Sequence, residues 1–460
     1  MAGTSPPRPR VVKAGFWAEG AADSFPPSAI DTKFFTHLYY AYVVPDTNTC
    51  KLVVSDPSPT ATNLRDFTDT IRVKNPQVET LLTVGAWSKD GKIADVFARM
   101  AMSKGSRKDF IQSCIEVARR YDFHGIDLDW EFPRNPKDMR NLGKLFKEWR
   151  ARVNKEAGET GRPKLLLTAA VASTAVIDYS PDGVSRSFPV KSINDNLDWV
   201  NVMCYDYCGY WSPDVQTGAP AALFNRRSVS TSIAFKSWID EAGLLRSKFV
   251  MGLPLFGRTW TLQNPRLNGI GAAASAVGLR PGDDGKMSYS EVEKFNREKN
   301  ATVVYDPETV STYSYAGTSW IGYDDIRSTT VKIRHGQDNK IGGYFVSDVT
   351  GDQDLKISKQ EVGRGSSGAM AVVKRRGGGS KWRMEVLSLY FPLSFVMTES
   401  PAPRWLLRDP VARGVPSVWI VCLRLFGGYF GWGCWLCSST VMGWRWLVAD
   451  WDGGVGCTGV

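Results

Sequence analysis

Histidine is scarce in this chain, with three among 460 residues, and four of its eight cysteines lie after residue 420. The single Cys-x-x-Cys, Cys434 and Cys437, is matched by no second pair and by no histidines. The pattern of a structural zinc site is therefore missing. No arginine-rich stripe and no nucleic-acid motif occurs. The net charge of +10 comes from scattered basic residues, the run Lys374-Arg375-Arg376 apart, and reads as solubility rather than nucleic-acid binding. The proline-rich, polar start, residues 1–13, lacks the apolar core of a secretory signal peptide. One uncharged run, Leu425 to Trp444, is long enough to span a bilayer. Five of its twenty residues are glycine and three are serine or threonine, so insertion would be marginal. A membrane anchor is thus a weak candidate.

What the chain does have is concentrated in one stretch, Phe123-His124-Gly125-Ile126-Asp127-Leu128-Asp129-Trp130-Glu131-Phe132-Pro133. In an extended strand, alternate side chains share a face, so Asp127, Asp129 and Glu131 point one way and Ile126, Leu128 and Trp130 the other. Neighbouring acids on that face lie about 6–7 Å apart. Like charges so close favour a carboxyl that keeps its proton, which is what a general acid needs. Around this stretch, strand-like apolar runs alternate with amphipathic ones, such as 111–121 and 139–151. About eight strand runs fall between Val11 and Asp354. That alternation implies βα units and a parallel sheet, and the number suits a (β/α)8 barrel, an α/β fold. In such a barrel the site forms at the C-terminal ends of the strands, where Glu131 stands.

The order Asp-x-Asp-x-Glu, followed by an aromatic and a proline, resembles the signature of glycoside hydrolase family 18, the chitinases and chitinase-like proteins. The stretch as far as Arg150 looks most like the plant class V branch. Further runs resemble the family's strands in order: 34–42, 80–87, 165–171, 202–207 with the Met-x-Tyr-Asp pattern, 251–258, 320–325 and 342–345. The resemblance covers about Val11 to Asp354.

It implies a retaining, substrate-assisted hydrolysis of chitin or N-acetylchitooligosaccharides. Glu131 would protonate the glycosidic oxygen, and the sugar's own 2-acetamido oxygen would be the nucleophile. Asp129 would hold the acetamido N–H, Tyr205 its oxygen, and Asp127 would sit deeper and share a proton with Asp129. Asp206 and Arg258 would bind the distorted sugar, and Met203 would pack the floor. No metal and no organic cofactor is implied. The expected partner is the glycan alone, with the chain a monomer. Three positions depart from the family pattern. His124 stands where many members carry an acid, and Ala86 replaces a glycine. Ser347 occupies the place of a tryptophan that floors the reacting sugar. The intact carboxylates favour a chitinase. Ser347 and the tail leave open a chitinase-like lectin or inhibitor.

Residues 1–10 read as a disordered start and 11–360 as the barrel. A long connection at 261–319 resembles a small α+β insertion between the seventh and eighth strands. It carries a helical stretch, 289–298, and strand-like 302–305 and 309–315. A Gly/Ser/basic run, 361–381, reads as a flexible linker. Residues 382–460 hold eight of the seventeen tryptophans and no clear periodicity. They read as sequence that is not a folded module, of the kind a retained intron would add. No closing helix of the barrel is recognisable. The family's usual setting is extracellular or vacuolar, which the visible amino terminus does not match.

Overall fold

In a computed structural model, residues 11–359 are described apart from 179–183, 213, 226–228, 280–283, 353 and 355. Beyond them only strand segments between 371 and 457 are described, as backbone. The N-terminal ten residues lie outside the described residues. The chain divides into two units, 1–362 and 363–460.

The first unit is the expected barrel. Its strands are β1 (Val12–Ala18), β2 (His37–Val43), β3 (Glu79–Gly85), β4 (Gly125–Asp129), β5 (Leu166–Val171), β6 (Trp199–Val202), β7 (Phe249–Pro254) and β8 (Gly343–Ser347). All pair in parallel with their neighbours, and β8 closes on β1 with Val12 opposite Gly343. Strands buried on both faces read as continuous apolar runs, which is why they were visible in the sequence. The helices between them have clear sequence starts. Ser58 and Asn135 cap the helices Pro59–Lys74 and Pro136–Thr160, each with proline at its first position. The stretch read as amphipathic before β4 is the helix Lys104–Arg120. Its buried side, with Phe110, Ile111 and Cys114, joins the core between helices and sheet.

A second, smaller core fills the barrel itself: Val12, Ala14, Tyr39, Leu81, Trp199, Val250 and Phe345. Phe16 stacks on Tyr39 with ring centres 4.2 Å apart and meets Phe345 at 5.2 Å. These rings form a solid plug, so the site above it has a floor rather than a pore.

Several boundaries differ from the sequence reading. The run 251–258 is two elements, because β7 ends at Pro254 and Phe256–Leu262 begins a different sheet. That sheet has six strands and also contains Ala274–Val277, Lys286–Ser288, Thr302–Asp306, Ser311–Ala316 and Ser319–Tyr323. The insertion therefore spans 256–323 rather than 261–319, and the run 320–325, read with the barrel strands, belongs to it. Trp320 and Ile321 are fully buried inside the insertion and its junction, which gave them a barrel-like pattern. Its helix, Tyr289–Glu298, falls where expected, with a Ser288/Glu291 capping box. The stretch 202–207 is likewise mostly loop, since β6 stops at Val202.

After β8 comes a 3-10 turn, Val349–Gly351, and no helix follows among the described residues. In the second unit, Ala371–Lys374, Arg383–Leu387, Pro392–Thr398 and Arg404–Leu407 pair as one antiparallel sheet. Trp419–Leu423, Gly433–Thr440, Gly443–Ala449 and Val455–Cys457 pair as another. The backbone there carries strand pairing that the sequence pattern did not announce, and one strand falls inside the run read as a linker. No helix among the described residues is long and apolar enough to cross a membrane. Much of Leu425 to Trp444 lies outside them.

Candidate active site

β4 delivers the carboxylates. It ends at Asp129, so Glu131 stands two residues beyond the strand rather than on it. Ile126, Leu128 and Trp130 face outward into the helix layer, where Trp130 stacks on Phe97 at 5.7 Å. This packing fixes the inward direction of the three acids.

Asp127 is fully buried in the barrel. It accepts hydrogen bonds from Thr168 Oγ1 at 2.5 Å, Asn201 Nδ2 at 3.1 Å and Thr83 Oγ1 at 3.3 Å. Burial pushes its carboxyl up to about 6, with these donors opposing the shift. Both of its oxygens have partners on neighbouring strands, and none of those bonds goes to Asp129. The donors to Asp127 come from Thr83, Thr168 and Asn201, residues the sequence reading had not singled out. Asp129 still feels the Asp127 charge through space. Its carboxyl is held well above the ordinary range by burial, then by Glu131 and then by Asp127. Asp129 Oδ1 is buried and has no hydrogen-bond partner. Burial and the Asp206 charge push Glu131 up to about 7.

Tyr205 and Asp206 follow β6. Burial raises the Tyr205 hydroxyl well above its ordinary value, a hydrogen bond with Ser347 opposes this, and Glu131, Asp206 and Asp129 add to it. These influences place Tyr205, Ser347 and the carboxylates around one space. The Tyr205 ring rests on Phe256 at 5.8 Å and Phe345 at 6.1 Å. That approach requires Gly252, because a Cβ there would lie 2.7 Å from both Tyr205 and Phe345. Gly85 is similarly constrained at the end of β3, where φ is 115° and the Asp129 carbonyl oxygen would lie 2.0 Å from a Cβ. Ala86, the departure beside it, is buried.

Arg258 comes from the first insertion strand. It grips Asp206 with two bonds, Nε to Oδ1 and Nη2 to Oδ2, both 2.8 Å. Its guanidinium also lies over the Trp211 ring at 4.9 Å. Met203 is half-buried just past β6, with its N–H on Val171 O at 3.1 Å. Ser347 ends β8 opposite Pro254 of β7 and is also half-buried. The eight sequence-selected residues thus lie at the C-terminal ends of β4, β6 and β8 and on the adjoining insertion strand.

Other members of the site escaped the sequence reading. Thr83, Thr168 and Asn201 form the cradle of Asp127. Their signal was a polar residue at an inward position of an otherwise apolar strand. Tyr42, near the end of β2, has its hydroxyl pushed up by burial and then by Asp129, Glu131 and Asp348. Tyr42, Trp87 and Trp211 are exposed at the same end of the barrel. His124 lies at the other end, with its Nδ1 accepting from Thr80 N at 3.0 Å. A cavity of about 460 Å³ opens there, between Glu79, Asp122, His124 and Lys164, away from the carboxylates. Cys50, Cys114, Cys204 and Cys208 are free thiols. No group of His, Cys, Asp and Glu among the described residues is arranged to hold a metal ion.

Residues 12–352 match the family described as Glycosyl hydrolases family 18. The chain is 46% identical over 337 residues to Nod factor hydrolase protein 1 of Medicago truncatula, covering 73% of this chain and 84% of the relative. It is 42% identical over 353 residues to the class V chitinase CHIT5a of the same plant, covering 76% and 88%. Among solved structures it resembles a family 18 chitinase from Cycas revoluta in complex with (GlcNAc)3. There the TM-score is 0.70, the identity 40%, and the coverage 76% of this chain and 98% of that one. The eight-stranded parallel barrel, the carboxylates at its C-terminal end and these matches agree: the chain belongs to glycosyl hydrolases family 18, as a chitinase of the plant class V type.

Proposed function

We propose that this chain hydrolyses β-1,4 linkages of chitin and N-acetylchitooligosaccharides with retention of configuration, using the substrate's acetamido group as nucleophile. The observation that carries this reading is Asp129 Oδ1, buried without a partner beside Glu131. A buried acceptor without a protein partner suits a donor from the substrate, and an acetamido N–H is one. A protonated Glu131 gives its proton to the glycosidic oxygen as the C–O bond breaks. The acetamido carbonyl oxygen closes on the anomeric carbon from the other face, forming an oxazolinium ion. Asp129 steadies its N–H, and the Tyr205 hydroxyl donates to its oxygen. Glu131, now ionised, takes a proton from water, which opens the ring. Two inversions leave the original configuration.

Asp127, cradled by Thr83, Thr168 and Asn201, lies deeper in the barrel and through its charge helps Asp129 keep a proton. Asp206 and Arg258, locked together, offer a rigid edge to the distorted sugar. Met203 and the aromatic plug lie below. The exposed Tyr42, Trp87 and Trp211 supply faces on which an extended glycan can lie.

The test is turnover of a fluorogenic N-acetylchitooligosaccharide by the purified chain, with the first anomer identified by proton NMR. Because one relative carries the name Nod factor hydrolase, a Nod factor belongs in the same assay. The β anomer is expected first, and an α anomer first would rule out retention. The second reading, a lectin or inhibitor, draws on Ser347. Tight chito-oligosaccharide binding with no turnover would select it. An extracellular or vacuolar place of action rests on the family resemblance, and cell fractionation tests it.

A further inference from the structure

One fully buried ion pair lies outside the catalytic face yet touches the segment that builds it. Lys332, on the helix Ile326–Asp338, is 1% exposed, and Asp324 is 2% exposed. The ammonium donates to both carboxylate oxygens of Asp324, at 2.5 Å to Oδ1, and to the backbone carbonyl of Ala221 at 2.5 Å. Three parts of the chain meet there. Asp324 immediately follows the last insertion strand, Lys332 belongs to the barrel, and Ala221 lies in the long loop after β6.

That loop carries Tyr205 and Asp206. The Tyr207 N–H donates to Pro220 O at 2.9 Å, and the Thr231 N–H to Ala222 O at 2.9 Å. The Tyr207 hydroxyl meets Thr231 Oγ1 at 3.1 Å. So Lys332 holds Ala221, its neighbour Pro220 holds Tyr207, and Tyr207 adjoins Asp206. Asp206 has φ of 58°, a left-handed conformation that a residue with a side chain keeps only where the surroundings impose it. Farther along, the loop is fixed to the insertion by Thr217 N to Ala272 O at 2.9 Å and Gly271 N to Thr217 O at 2.8 Å. A buried pair gives little net stability, since desolvation offsets its attraction. Its third bond, to a loop carbonyl, points to another use.

We propose that Lys332 is a positioning residue for the reaction: through Ala221 it holds the loop 203–222 in the conformation that presents Tyr205 and Asp206 to the sugar. The proposal rests on the reading of those two residues as substrate contacts. The single variant Lys332→Met would strand a buried Asp324 and is open to failing on folding alone. The double variant Lys332→Met/Asp324→Leu removes both charges and conserves volume, a change that buried pairs generally tolerate. It still leaves the Ala221 carbonyl without its donor.

The double variant is expected to melt within about 5 °C of the parent. Its backbone amides in 203–224 should exchange with deuterium at least about tenfold faster, while the rest of the barrel is unchanged. Its kcat on a chito-oligosaccharide should fall about tenfold or more, with KM moving less than about threefold, the split expected when transition-state contacts are lost. Parent-like exchange in 203–224, or faster exchange with parent-like kcat and KM, overturns the proposal. A parent chain with no turnover would instead remove the chitinase reading. Exchange, together with chito-oligosaccharide affinity of both forms, would then decide whether Lys332 positions the loop.

Discussion

The alkaline limit of activity should belong to Glu131 and lie near pH 7. Burial and the Asp206 charge push Glu131 from an ordinary 4.5 up to about 7, so the acid form persists at a pH where an ordinary glutamate would be ionised. Because Glu131 and Asp129 interact, the limb reports the pair rather than one group. Above the limb, kcat/KM should fall about tenfold per pH unit, since the acid form is what the reaction consumes. The assay compares two chitobiosides. One has a sugar leaving group, which needs the proton, and the other a dinitrophenyl group, which departs unaided. The first should show the limb near 7 and the second should lose it, because kcat/KM runs only from binding through glycosidic bond cleavage and omits the later hydrolysis of the intermediate. Glu131→Gln should cut kcat/KM on the sugar substrate by about a hundred- to ten-thousandfold and leave the dinitrophenyl substrate much less affected. The same alkaline limb on both substrates, or a limb near pH 5 on the first, would refute the assignment of the acid.

Ser347→Trp restores a ring that would bury roughly 150–250 Å², worth at most about 4–6 kcal/mol of apolar contact. If a fraction of that is realised only in the distorted state, turnover should rise about tenfold or more; a stable variant with no gain would show that the floor does not limit the rate. Asp127 is held at about 6 against an ordinary 3.8, so the folded state binds its proton more tightly than the unfolded chain does. Its contribution to stability should therefore fall by about 3 kcal/mol as pH rises from about 4 to about 6 and stay flat above. Asp127→Asn should make the slope in denaturant titrations across the window shallower, the remainder belonging to Asp129 and Glu131, whose carboxyls are raised too; a parallel pH dependence of parent and variant would exclude the effect. A chain ending at residue 362 should melt at nearly the parent temperature and be more soluble; a large drop in Tm would make the tail part of the barrel's core.

The barrel was legible because its strands are buried on both faces and helices with capped starts separate them. The three carboxylates were legible because alternation puts them on one face. Boundaries were lost where two elements share one chemistry. Residues 249–257 are uncharged and mostly apolar, and nothing in them announces that Leu255 divides a barrel strand from an insertion strand. Trp320 and Ile321 look like barrel residues because burial in the insertion demands the same side chains. The partners of Asp127 were not legible, because Thr168 and Asn201 come from other strands whose register a linear reading does not supply. The loop after β6 was read with the strands because it resembles the family's Met-x-Tyr-Asp strand, whereas β6 stops at Val202 and Asp206 has a left-handed backbone.

The insertion is joined to the barrel without slack. Leu255 alone separates it from β7, and that residue is committed on both sides, its N–H on Ser347 O at 2.8 Å and its carbonyl on Tyr289 N at 2.9 Å. On the return, Asp324 is locked to Lys332 and Asp325 already caps the next helix. Hinges need a few residues free to absorb dihedral change, and neither crossing has one. The strand that carries Arg258 is consequently a standing part of the site rather than a flap that swings over it. Under the proposed function, a glycan would meet Arg258 and Asp206 already in place, without waiting for the insertion to move.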